Sequence, residues 1–127
     1  MRRALWTTTA FNIGGALLFA FPGSPLGALA GLPSGVPAAY RALTALFVLL
    51  FAGAYAWLAT QPTFDRPLVA FLAIGKASAF TVILCLWLAS ALAARSVIVA
   101  SGDLAFAAIF SWWLLGGGKS YSNSLSR

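Results

Sequence analysis

Residues 73–80 read AIGKASAF, and the lysine in their midst is the single charge of an apolar run over 67–94. Three more polar side chains interrupt apolar surroundings in the same way: Asp103, Arg41 and Asn12. An ammonium, a carboxylate, a guanidinium and an amide placed together can do one of three things. They can neutralise one another and fix helix register. They can leave a net positive charge for an anionic head group. They can move a proton, if burial tunes the carboxylate or the amine. Histidine is absent and the chain has one cysteine, Cys85, so disulfide and thiol-pair redox chemistry have no second sulfur. With Asp65 and Asp103 as its carboxylates, the chain offers no metal-ligand set and no paired-acid site. The reading from residues is no catalytic set, no metal and no cofactor.

The elements that position these groups follow from composition. The chain is 61% hydrophobic and 8% charged, where soluble domains average about 25% charged residues. Ten charges cannot coat a water-soluble globule of 127 residues, so lipid is the expected solvent for most of the surface. The net charge of +6 comes from isolated basic residues at segment ends, not from a stripe, which argues against nucleic acid.

Four apolar stretches stand out, over 4–21, 37–60, 67–94 and 97–115. Each is about 18 residues or longer, enough to cross about 30 Å of hydrocarbon as a helix. None alternates apolar and polar residues as a strand would. The expected fold is all-α: an integral membrane, antiparallel four-helix bundle. Its single domain covers 1–118, followed by a polar tail over 119–127. Between the first two helices lies PGSPLGALAGLPSGV, an uncharged connection rich in Gly and Pro. It is expected to lie at the interface, packed on the outer helix ends. The next link, QPTFDR, leads into Pro67, and the third is placed around Arg95 and Ser96. MRR followed by an apolar run resembles a secretion signal, but the polar residues within the run favour a retained helix. With four spans, Arg2, Arg3, Arg66, Lys119 and Arg127 share one side and Arg41 and Arg95 the other. That predicts a multi-pass inner-membrane protein with both termini cytoplasmic.

Depth along the helices then groups the polar residues. From the cytoplasmic side Lys76 lies about 13 Å deep and Asn12 about 12 Å. From the outer side Asp103 lies about 9 Å deep and Arg41 about 6 Å. Charges at such depths cost about 2.5–3.5 kcal/mol each on insertion scales unless they face the bundle interior. A Lys76–Asp103 pair is expected, with Arg41 joining and Asn12 completing a polar ring. Tyr55, Phe80 and Trp87 are the candidate pocket-lining residues.

The stretches LPSGVPAAYRALTALFVLLFAGAYAWLATQP, AIGKASAF and SGDLAFAAIFSWWL, in this order, resemble small four-helix bacterial membrane proteins of the DoxX-like kind. The resemblance is one of layout and covers most of the chain. It implies a four-helix inner-membrane bundle and supplies no catalytic residues. Three functional readings stay open. The first is an accessory or assembly subunit, or a homo-oligomer, with a buried charge cluster. The second is a binding or transport protein for a small hydrophobic or anionic amphiphile. The third is a membrane isomerase or cyclase. The expected partners are the lipid bilayer, a membrane protein or a second copy, and, on the second reading, the amphiphile.

Overall fold

In a computed structural model that describes residues 1–117, the chain forms five α-helices, four of them long. They are α1 (Arg2–Ala20), α2 (Pro25–Leu29), α3 (Ala38–Thr60), α4 (Arg66–Leu88) and α5 (Ala94–Trp112), which continues as a π-helical turn over Trp113–Gly117. The long helices run alternately up and down. Helix α1 lies along α3, α4 lies along α5, and the two pairs face each other through side chains. Three stretches are long and apolar enough to cross a membrane: Ala38–Thr60, Arg66–Leu88 and Ala94–Gly116. Helix α1 is not among them, because two arginines, three threonines and an asparagine dilute its apolar residues. Those threonines are satisfied locally. Thr7, Thr8 and Thr9 each donate their hydroxyl to the carbonyl four residues earlier, at 2.8–3.0 Å. Thr8 and Thr9 are therefore buried without a further partner.

The apolar run over 67–94 is not one helix. Helix α4 stops at Leu88, and Arg95 and Ser96 belong to the first turn of α5 rather than to the link. Hydropathy cannot register this stop, since residues 89–93 are ASALA. Backbone hydrogen bonding does: the Ser90 N–H donates to the Trp87 carbonyl and the Ala91 N–H to the Leu86 carbonyl. This is a Schellman closure, with Ser90 in the left-handed region at φ 58°.

The Gly/Pro-rich connection also closes on itself. Ser24 caps α2 by accepting from the Gly27 N–H, and Pro25 opens the helix. A second Schellman closure ends it, with Gly31 at φ 77° as the left-handed residue. The Ser96 hydroxyl reaches the carbonyls of both Ala30 and Gly31 and docks the connection onto the start of α5. The connection thus packs on the bundle end that holds the start of α5, and it includes a helical turn that its prolines concealed.

The core is lopsided. The largest fully buried side chains, Tyr55, Phe110, Leu5, Leu58, Leu72 and Val69, lie in the half that carries Arg2 and Arg66. At that end Arg2 donates to the Gln61 carbonyl at 2.7 Å and sits over Phe64. Arg66 donates to the Leu114 carbonyl at 2.6 Å and sits over Trp113. Asp65 caps α4 by accepting from the Leu68 N–H. In the opposite half the buried residues of α1, α3 and α5 are small: Ala16, Ala45, Ser96 and Ala100. No residue of 77–88 on α4 is buried. One half is therefore packed with large side chains, and the other stands apart.

Candidate functional site

The polar centre lies where the packed half ends. Lys76 on α4 is 5% exposed and forms an ion pair with Asp103 of α5, Nζ to Oδ1 2.5 Å. It also donates to the Asn12 side-chain oxygen on α1. The ion pair expected between Lys76 and Asp103 is present, and Asn12, expected level with Lys76, joins it. Three aromatic rings complete the surroundings of the ammonium. Its nitrogen lies 4.9 Å from the centroid of Phe11, 5.5 Å from Tyr55 and 5.7 Å from Phe106. A desolvated cation over an aromatic face gains about 2 kcal/mol. These contacts join all four long helices at one point. Gly102 makes room for the Phe11 ring: a Cβ there would come within 2.7 Å of it.

Tyr55 is part of this centre, not of a pocket wall. It is fully buried, its ring stacks near Phe110, and its hydroxyl donates to the Leu72 carbonyl. Phe11 and Phe106 were missed by the sequence reading. The available signal was spacing, since Phe106 lies three residues beyond Asp103 and Phe11 adjoins Asn12.

Arg41 does not join the cluster. Its Nη1 donates to the Ala20 carbonyl at the end of α1, at 3.3 Å. Depth alone does not fix the direction in which a helical side chain points, and Arg41 points towards the α1 C-terminus. Its Nε is buried and has no acceptor among the described residues.

Two adjoining cavities open in the loosely packed half. The inner one, about 80 Å³, reaches Asp103 and is walled by Phe11, Gly15 and Val99. The outer one, about 210 Å³, reaches Arg41 and Thr44 and is walled by Pro33, Val36 and Leu86. Phe19, Leu32 and Ile83 line both. Phe80 and Trp87 line neither, and Trp87 is exposed. The α4 residues that face the space are Ile83 and Leu86.

Among the described residues no group of His, Cys, Asp and Glu is placed to hold a metal. The chain matches no family model, no curated protein and no solved structure.

Proposed function

We propose that this chain is a four-span inner-membrane protein of DoxX-like layout, with both termini cytoplasmic, that works by association rather than catalysis. Helix α1 is the fourth span on this reading. Its 19 residues rise about 28 Å, and its Thr8, Thr9 and Asn12 are buried against the other helices. The observation that carries association is the bare second half of α4. Residues 77–88 present Val82, Trp87 and Leu88 outward, and none of them is fully buried. A second copy or another membrane subunit laid along this half would complete the packing. The polar groups support a non-enzymatic role. Asp65 is engaged as a helix cap and Asp103 holds the Lys76 ammonium, so neither carboxylate stands ready as a base.

Cys85 provides the test, because it is exposed on the bare half of α4 and is the sole cysteine. Photo-cross-linking from a benzophenone maleimide on Cys85, which inserts into any neighbouring C–H, is expected to give a discrete species in native membranes. Self-association gives twice the 13.2 kDa of the chain, and a second subunit gives another fixed mass. If the probe couples to lipid alone while a control site at a known interface couples to protein, association through this face of α4 is excluded.

A further inference from the structure

The same loose half holds a feature that association does not use. We infer that the cleft between the α1–α3 pair and the α4–α5 pair binds a single-chain anionic amphiphile of the fatty-acid type, with its carboxylate on Arg41.

Three observations carry this. The walls are almost wholly apolar, from Phe19, Leu32, Ile83 and Leu86, which suits a hydrocarbon chain. The polar exception at the outer end is Arg41 with Thr44. One guanidinium nitrogen is tied to Ala20, while Nε has no acceptor among the described residues. The edge that carries Nε is the planar fork that fits the two oxygens of a carboxylate. Helix α3 adds to the positive character of this end: its N-terminus has no side-chain cap and its first turn has no acidic residue.

Shape selects the tail. The two spaces adjoin through Phe19, Leu32 and Ile83 and form one narrow apolar track, which suits a single hydrocarbon chain. Its far end would approach Asp103, whose engaged oxygen faces Lys76 rather than the cavity occupant. The site requires neither self-association nor a partner, so its test is separate from the cross-linking above.

The experiment is equilibrium binding of radiolabelled decanoate to the full chain in nanodiscs of neutral phosphatidylcholine. One saturable site is expected. Unlabelled decanoate displaces the label, and decyltrimethylammonium, of equal tail and opposite charge, requires at least tenfold more. Arg41→Gln, which keeps an amide donor for the Ala20 carbonyl, weakens decanoate binding at least tenfold. Ile83→Trp fills the cleft without touching Arg41 and weakens it similarly. Absence of saturable binding overturns the inference. Equal displacement by the two amphiphiles overturns the role of charge, which needs no variant to establish. Unchanged affinity in a folded Ile83→Trp protein places any binding outside the cleft and overturns it as well.

Discussion

Lys76 is the residue on which the bundle turns. Its ammonium is held by a carboxylate, an amide oxygen and three aromatic faces, drawn from α1, α3 and α5. Such a charge is retained at a cost, since removing one partner leaves the other buried and unpaired, a loss of about 3–5 kcal/mol. Lys76→Met and Asp103→Leu are each expected to destabilise the protein by about 3 kcal/mol, and the double variant by clearly less than the two combined. Unfolding in mixed micelles measures this, and simple additivity would show that the pair is not coupled. The group was legible in the sequence because rise per residue converts position into depth. Lys76 and Asn12 fall at one level, and charge complementarity, rather than depth alone, singled out Asp103 as the partner. Arg41 shows where that reasoning stops. Its level was near theirs, but direction around the helix decides contact, and the α1 C-terminal carbonyl took its guanidinium.

Among the elements, the ends of helices were harder to read than their existence. Four long helices were legible from apolar length, although polar residues dilute α1. The stop of α4 at Leu88 was not, because a Schellman closure is a matter of backbone bonding, and ASALA carries neither Gly nor Pro to mark it. The two closures of the outer end make an instructive contrast. Gly31 meets its left-handed backbone at no steric cost, whereas Ser90 meets the same requirement with a Cβ. Ser90→Gly is therefore expected to raise stability by about 1 kcal/mol, measured by the same unfolding assay. A decrease would mean that the serine side chain holds the link in a way the left-handed backbone does not require. Phe80 and Trp87 line neither cavity for a related reason: Phe80 is half-buried and Trp87 exposed, and periodicity cannot tell a face turned to a neighbour from one turned to lipid.

For the whole molecule, sidedness is the property most open to test. The packed end carries Arg2, Arg3 and Arg66 and the loose end Arg41 and Arg95, so the basic excess favours the packed end in the cytoplasm. In a Cys85→Ser background, Thr63→Cys in the α3–α4 link is expected to react with an impermeant maleimide only after lysis. Ser34→Cys in the Gly/Pro-rich connection is expected to react in intact cells. The reverse pattern would invert the orientation, and reaction of both in intact cells would mean that α3 does not cross. The unequal packing of the two halves has a consequence for local stability. Large side chains and two arginine ties clamp one end, while the other end is held by the Ser96 contacts, the Arg41–Ala20 bond and small alanines. Fewer large buried side chains lower the free energy of local opening, so backbone amides of the loose half are expected to exchange with deuterium before those of the clamped half.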